Sequence, residues 1–337
     1  MRIDLAGWTR EATLGDHREF LRIFERADQL GFDGVWFNEF HFRREGLPYP
    51  STTLLAAAVF ARTARLRVGL SILVLPLYHP LMLAEQIAQL DFQGGGRIDV
   101  GIGRGTDPST FVALGIDPAT SRARFEECYA LLRRAWIGPT VTARGAHWHF
   151  ATVEVGPEPT QQPHPPLYVA GSTGETLAFA AAEGLPLLLS LEPPEGQQLA
   201  RYREALAATG RPGCLAGSSL SRYVCIGATR VEAERHLDEL LPRLHRRRVG
   251  FAAARGTPAD QLPPLDRDRF VREQAIVGDP QGCYERIVAL AREVGTGALR
   301  CVFNGNGTLD NGVALAGMDL FAREVLTALR AVAPPVA

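Results

Sequence analysis

The sequence contains no lysine, so all 36 of its basic residues are arginine. This absence excludes enzymes that form a Schiff base through a lysine, and nucleotide-binding loops that depend on a phosphate-binding lysine. Only five cysteines are present, and no two of them form a Cys-x-x-Cys pair. We therefore expect reduced thiols in a cytoplasmic protein and no framework of disulfides.

Excess charge and long apolar runs are also lacking. The formal net charge is −1, which gives no indication of a nucleic acid or an acidic membrane surface as partner. No apolar run is long enough to span a bilayer, and the first residues enter a strand-like pattern without a signal-peptide core. With 46% hydrophobic and 22% charged residues, the 337-residue chain is typical of a soluble globular protein.

What the sequence does contain is an alternation of short apolar strands and helical patterns. Eight strands are predicted, at residues 2–6, 34–38, 66–73, 97–103, 167–170, 185–189, 220–226 and 298–303. No composition break marks a second domain, so we expect one α/β domain over residues 1–337 that forms an eight-stranded α/β barrel. A doubly wound open sheet is the alternative. Residues 138–166 are predicted as a β-hairpin and extended excursion, and residues 250–276 as a mobile loop.

A glycine-rich stretch from Gly96 to Gly105 is the most informative part of the chain. We interpret it as a buried strand that ends in a turn carrying Arg104. Alternating glycines let a backbone approach a ligand closely, exposed N–H groups in such a turn bind anions, and a guanidinium suits phosphate. An ordinary turn with an exposed arginine is the alternative. The stretch does not match a dinucleotide-binding fingerprint, because no acidic residue ends a strand about 20 residues later.

A second anion-binding corner is predicted where the fifth strand ends. Residues 171–174 open a helix, so free N–H groups and hydroxyls would face an anion there. Ordinary helix capping by the hydroxyls is the alternative. In a barrel the active site lies at the carboxyl ends of the strands, and this corner follows the strand next to that of Arg104. Both corners can therefore reach one phosphate.

Other candidate residues carry less specific signals. Trp8 follows the first strand and is a candidate wall of a substrate pocket, although it could equally plug the end of the barrel. His147 and His149 share one face of a predicted strand, as metal ligands would. No third ligand accompanies them, so we predict no metal site.

Several motifs in a fixed order resemble the bacterial luciferase-like flavin monooxygenases. They are GGGRIDVGIGRG at residues 94–105, LPLYHP at 75–80 with LAEQ at 83–86, and QPHPP at 162–166 leading into VAGS at 169–172. FNEFHF at 37–42 resembles the glutamate–histidine segment after that family's second strand. The resemblance runs from Arg2 to about Ser190 and more weakly to the C-terminus. It is specific for the superfamily and not for a substrate.

The resemblance implies a (β/α)8 TIM barrel that binds FMN, usually as FMNH2 from a separate flavin reductase. The implied cofactor-binding residues are Arg104, Gly103, Gly105, Ser71, Ile72, Gly171, Ser172, Thr173 and Thr176. Ser71 and Ile72 would lie under the isoalloxazine ring, where family members often have a non-prolyl cis peptide. The implied reaction inserts one oxygen atom of O2 into a small organic substrate through a flavin C4a-hydroperoxide that the protein shields from water.

The sequence departs from the family pattern at two positions. Phe40 stands where light-emitting members have a catalytic histidine, and Gly103 stands where they have a reactive cysteine. Both departures argue against light emission with an aldehyde, and Phe40 becomes a candidate pocket residue. His41 is the remaining candidate acid–base catalyst, with Glu39 orienting it or bonding a flavin edge. A core position for His41 and a structural ion pair for Glu39 are the alternatives.

Two other functions stay open at this point. The same barrel could transfer hydride with the deazaflavin F420, or it could bind flavin without catalysis. The helix predicted at 81–92 is a candidate homodimer face, since family members often form dimers there. The arginine-, alanine- and glycine-rich composition is typical of GC-rich genomes, where such enzymes often serve secondary metabolism.

Overall fold

Parallel strands form the centre of the molecule. The computed structural model describes residues 1–9, 16–42, 49–191, 195–209, 215–253, 258 and 262–331. The strands in these ranges are β1 (Arg2–Ala6), β2 (Gly34–Phe37), β3 (Arg67–Val74), β4 (Ile98–Gly103), β5 (Thr140–Arg144), β6 (His149–Glu154), β7 (Leu167–Ala170), β8 (Leu187–Leu188), β9 (Ser219–Ile226), β10 (Ala275–Gly278) and β11 (Ala298–Val302).

Eight of these strands close into a parallel ring in the order β1-β2-β3-β4-β7-β8-β9-β11. Asp4 in β1 pairs with Arg300 in β11, and the short strand β8 meets β9 where Leu188 pairs with Ser219. The ring strands are the eight that the sequence predicts. The α/β barrel is therefore confirmed as a (β/α)8 TIM barrel, and the doubly wound open sheet is wrong.

Helices surround the ring. They are α1 (His17–Leu30), α2 (Thr52–Phe60), α3 (Pro80–Gln93), α4 (Pro108–Ala113), α5 (Ser121–Ile137), α6 (Gly174–Glu183), α7 (Glu195–Thr209), α8 (Arg230–Ala253), α9 (Arg267–Glu273), α10 (Pro280–Val294), α11 (Asn311–Leu320) and α12 (Thr327–Ala331). Local sequence sets their ends: the Asp16 side chain accepts two N–H groups at the start of α1, and Gly31 ends it in a left-handed conformation. Among the described helices, none combines the length and apolar character that a membrane crossing requires.

The segment 250–276, predicted as a mobile loop, contains regular structure where it is described. α8 continues to Ala253, α9 follows, and β10 pairs with the second half of β9 from Ala275 to Gly278. The loop prediction is wrong for these residues, because Phe270 and Ile276 are buried and the pairing satisfies the backbone of β10. Residues 254–257 and 259–261 lie outside the described residues, and motion of the segment stays a prediction.

The predicted hairpin within 138–166 is confirmed. β5 and β6 pair antiparallel, with Thr140 opposite Glu154. Trp148 between them is buried, and its ring lies 4.9 Å from the guanidinium carbon of Arg124 in α5. This cation–π contact attaches the hairpin to the barrel wall.

Side chains inside the ring change in character along its axis. At the amino end, Arg2 and Arg67 each lie 2.7 Å from a carboxylate oxygen of the fully buried Asp99. Further along, Trp36 in β2 and Tyr168 in β7 meet across the ring, with centroids 5.2 Å apart. Interior positions near the carboxyl ends of β3 and β7 are only half-buried, so this end of the ring is the open one.

Candidate active site

Two turns that follow neighbouring strands lie side by side at the open end of the ring. β4 and β7 pair in parallel, Gly101 with Tyr168 and Ile102 with Val169. The turn carrying Arg104 follows β4, and the turn carrying Ser172 follows β7. Because the strands are in register, the two turns leave the ring at the same level and on adjacent strands.

Arg104 has donors free for a ligand. Its side chain is half-buried and makes no hydrogen bond or ion pair with any other described residue. Gly105 has a φ of 82°, a left-handed conformation that turns the chain after the strand. The absence of a side chain at Gly103 leaves room for Ile72, because a Cβ at position 103 would lie 2.2 Å from Ile72 Cδ1. The result is a cation at the mouth of the ring that no described acidic group neutralises.

The amino end of α6 adds N–H donors at the same place. Thr173 is the N-cap: its Oγ1 accepts from the backbone N–H of Thr176 at 3.3 Å and lies 2.9 Å from the Thr176 hydroxyl. Both threonine hydroxyls therefore take part in capping. The N–H groups of Gly174 and Glu175, in the first turn, have no acceptor within the helix, and they lie at the positive end of the helix dipole.

Two further arginines, neither of them predicted from the sequence, reach this corner. Arg122 in α5 donates to the carbonyl of Glu175 at 3.2 Å, and Arg201 in α7 donates to the carbonyl of Ser172 at 3.3 Å. Neither follows a ring strand, so the rule that places active sites at strand ends does not select them. Helix packing around α6 brings them to the turn, and no local sequence signal marks them.

The peptide bond between Ser71 and Ile72 is cis. It lies in β3, where the register with β4 shifts between Leu70 and Leu73. The family resemblance implies a cis peptide at this position, and its presence is confirmed. Ser71 and Ile72 are half-buried, and Ile72 belongs to an apolar cluster inside the ring that includes Tyr168. The Ile72 side chain therefore forms an apolar shelf beside Gly103, at the base of the turn that carries Arg104.

A hydrogen-bonded group lies next to these turns around the mouth, after β2 and β3, the two strands that precede β4 in the ring. Glu39 is buried, and one carboxylate oxygen is 2.8 Å from Nε2 of His41. The other oxygen accepts from the Tyr78 hydroxyl at 2.8 Å. Burial and the Glu39 charge raise the pKa of Tyr78 well above its ordinary value. Glu39 and His41 are predicted from the sequence as site residues, whereas Tyr78 is not.

The aromatic residues predicted to line a pocket have different environments. Trp8 is 5% exposed and belongs to the main apolar cluster. Its role as a wall of the substrate pocket stays a prediction. Phe40 is half-buried. Phe42, which the sequence analysis missed, is 67% exposed, and its ring centroid lies 5.9 Å from that of His41.

Within the described ranges, neither a group of metal ligands nor an activated thiol accompanies the turns at the mouth. No three His, Cys, Asp or Glu side chains within these ranges are grouped as metal ligands would be. His149 is exposed on the hairpin, with His147 half-buried nearby. The described cysteines are free and buried, and burial raises the pKa of Cys225 and Cys283 to about 12, so these thiols stay protonated.

The donor set at the mouth fits a phosphorylated flavin. A phosphate needs a cation and several N–H donors in one place, and a flavin ring needs an apolar surface beside them. Arg104 and the first turn of α6 supply the donors, and the shelf at Ile72 supplies the surface. Arg104 is a cation at this place that makes no hydrogen bond or ion pair with any other described residue.

Known proteins with similar sequences include monooxygenases. Alkanal monooxygenase alpha chain of Photorhabdus laumondii is 28% identical, with 93% of this chain and 92% of that protein aligned. 4-Hydroxyprotoasukamycin monooxygenase of Streptomyces nodosus is 29% identical, with 90% and 85% aligned. An uncharacterised protein of Sinorhizobium fredii is 37% identical, but the match spans about half of each chain, 49% and 48%.

Similar solved structures extend over the whole barrel. Monooxygenase RslO1 from Streptomyces bottropensis has a TM-score of 0.79 at 27% identity, covering 98% of this chain and all of that one. The oxygenating constituent of 3,6-diketocamphane monooxygenase from Pseudomonas putida, solved with FMN, has a TM-score of 0.74 at 20% identity, covering 99% and 100%. An F420-dependent secondary alcohol dehydrogenase has a TM-score of 0.74 at 16% identity, covering 96% and 98%.

The family profile described as "Luciferase-like monooxygenase" matches residues 3–297. This match includes all ring strands except the last and both turns at the mouth. By sequence profile and fold, the chain belongs to the luciferase-like monooxygenase family of flavin-dependent enzymes.

Proposed function

We propose that this enzyme is the oxygenating component of a two-component system. It binds FMNH2 that a separate flavin reductase supplies, and it uses O2 to insert one oxygen atom into a small organic substrate. The observation that carries the proposal is the pair of adjacent turns at the mouth, Arg104 and the start of α6, beside the Ser71–Ile72 peptide.

The turns divide the work of holding the phosphate. Arg104 would donate from one side through its planar guanidinium. The backbone from Gly171 to Thr173 and the Ser172 hydroxyl would donate from the other side, and Thr176 keeps Thr173 in place by its hydrogen bond. On the β3 and β4 side, Ser71, Ile72 and the glycines on either side of Arg104 would form the surface on which the ring rests.

When bound, the reduced flavin supplies the reaction with O2 and the transfer of one oxygen atom to the substrate. The chain's own residues would exclude water and position the substrate. Ile72 and Tyr168 would form the dry floor, and Phe40 a wall. His41 would accept or hold a proton at a ring nitrogen, oriented by the buried Glu39.

Two features of the whole chain belong to the same proposal. Residues 1–337 would form a single luciferase-like barrel domain. The chain forms homodimers through α3 and α2, where Phe92, Met82 and Leu54 are 74%, 57% and 75% exposed. Exposed apolar side chains on neighbouring helices are a typical feature of interfaces. The small organic substrate would be a compound of secondary metabolism.

Hydride transfer with F420 is the second candidate function. The observation that favours it is the F420-dependent structure with the same fold described above. F420 also carries a phosphate-linked tail, so Arg104 and α6 would serve either cofactor.

Anaerobic titration with FMNH2 and with reduced F420, followed by admission of air, tests the proposal. We expect FMNH2 to bind more tightly, and on admission of air the bound flavin should form an oxygen adduct that decays more slowly than free FMNH2 is oxidised in the same buffer. Tighter binding of F420 without such an adduct would support the second candidate. Binding of FMN with no adduct that outlasts the oxidation of free FMNH2 would indicate a flavin-binding protein, and binding of neither cofactor would overturn both proposals.

A further inference from the structure

Two hydrogen bonds from different loops meet at the Glu39 carboxylate. His41 Nε2 lies 2.8 Å from one oxygen, and the Tyr78 hydroxyl donates to the other at the same distance. Glu39 and His41 follow β2, whereas Tyr78 follows β3, the strand that carries the cis peptide. The three side chains therefore connect the proposed acid–base group to the strand beneath the proposed flavin site.

Tyr78 can only be a donor in this arrangement. Burial first, and then the Glu39 charge and hydrogen bond, raise its pKa so far that the hydroxyl keeps its proton at any working pH. One carboxylate oxygen of Glu39 is thereby occupied and its rotation is blocked. The other oxygen is held toward His41. No arginine among the described residues pairs with Glu39, and its two oxygens are met by His41 and by the Tyr78 hydroxyl.

The carboxylate also determines which nitrogen of His41 carries the proton. An ionised carboxylate only accepts, so Nε2 must be the protonated nitrogen of the neutral ring. The lone pair is then on Nδ1, the nitrogen directed away from Glu39. A proton taken from a ligand would pass to Nδ1, and the positive ring that forms would lie against the Glu39 carboxylate.

We propose that Tyr78 is a positioning residue that fixes Glu39, so that His41 is held with its proton on Nε2 and its lone pair on Nδ1. The role of Nδ1 as a base rests on the proposed function, since it requires a ligand bound at the mouth. The arrangement of Tyr78, Glu39 and His41 does not, because it exists in the protein without any ligand. The two claims can therefore fail separately.

Nuclear magnetic resonance of the protein without flavin tests the geometry. The chain has eight histidines. In protein labelled with ¹⁵N-histidine at pH 8, long-range ¹H–¹⁵N spectra identify which ring nitrogen carries the proton, and His41→Asn assigns the signal by its loss. We expect a protonated Nε2 for His41, with a downfield N–H signal that exchanges slowly with water. A proton on Nδ1 in the wild-type protein would overturn the proposal without any variant.

Tyr78→Phe removes only the hydroxyl. We expect the His41 N–H signal to be lost through exchange, because Glu39 is then free to rotate. Tyr129→Phe is the matched control, since Tyr129 is a buried tyrosine that also donates to a carboxylate, Glu183, at 3.0 Å. It should leave the His41 signal unchanged. Circular dichroism melts confirm that both variants fold, and an unchanged His41 signal in folded Tyr78→Phe would overturn the role of Tyr78.

A second readout applies once a substrate is known. Tyr78→Phe should lower kcat while leaving KM for the substrate and Kd for FMN within about twofold, because a positioning group acts on the proton and not on binding. If the enzyme binds no flavin, this readout is lost and the proposed function fails. The spectroscopic result on His41 still decides the role of Tyr78.

Discussion

Removing the guanidinium at position 104 should weaken FMN binding and leave riboflavin binding unchanged. The two ligands differ only in the phosphate, so Arg104→Ala measured with both forms a thermodynamic cycle. The cycle isolates the interaction between one side chain and one ligand group. A general loss of folding or pocket shape would affect both ligands equally.

The size of the effect follows from the exposure of the side chain. A charge-assisted hydrogen bond contributes about 1.5–3 kcal/mol. Arg104 is half-buried, so solvent screening reduces this to about 1–2 kcal/mol, which is a factor of about 5–30 in Kd. Arg104→Lys should recover part of the loss, because an ammonium keeps the charge but lacks the planar pair of donors.

Quenching of flavin fluorescence gives both dissociation constants at fixed ionic strength. Arg144→Ala is the matched control, because Arg144 is an exposed arginine on the hairpin and its removal changes the net charge equally. It should leave both constants within about twofold of the wild-type values. Equal weakening of FMN and riboflavin by Arg104→Ala, or no weakening of either, would refute the phosphate role of this residue.

Three further predictions concern stability and assembly. Gly69→Ala should lower the free energy of unfolding in urea by about 1–3 kcal/mol, because its Cβ would lie 2.1 Å from a buried indole, whereas Gly250→Ala, with open space around it, should not. Burial opposes ionisation of Asp28, but three backbone N–H donors lower its pKa overall. Asp28→Asn should therefore lower the free energy of unfolding by about 1–3 kcal/mol at pH 7. The difference in unfolding free energy between the wild-type protein and the variant should shrink as the pH falls below about 3.9 and through the lowered pKa. A difference that grows in acid would contradict this. Phe92→Arg should shift the protein to monomers in sedimentation velocity, whereas Val231→Arg, equally exposed on α8, should not.

The ring could be predicted from the sequence because parallel strands covered on both faces are continuous apolar runs. β10 was not predicted; it lies outside the ring and pairs with the second half of β9. The sixth predicted strand, at 185–189, is reduced to Leu187–Leu188. Its first residue, Leu185, donates its N–H to the Ala180 carbonyl and so belongs to the end of α6.

Candidate site residues at the carboxyl ends of ring strands could be predicted from the sequence. Those that depend on packing between loops or helices could not. Arg104 and Ser172 are at strand ends, so their positions follow from the order of strands. The bond between Glu39 and Tyr78 joins residues 39 apart in sequence, and it depends on the path of two loops. Arg122 and Arg201 lie within helices, and only the packing of those helices around α6 brings them to the turn.

The central claim is that one phosphate binds between Arg104 and the start of α6 at the mouth of the ring. A crystal structure of the protein with FMN tests it most directly. The account predicts the phosphate within hydrogen-bond distance of the Arg104 guanidinium and of N–H groups at residues 172–175, with the flavin ring on the Ser71–Ile72 peptide. A flavin bound elsewhere, or a phosphate that does not touch Arg104, would contradict it.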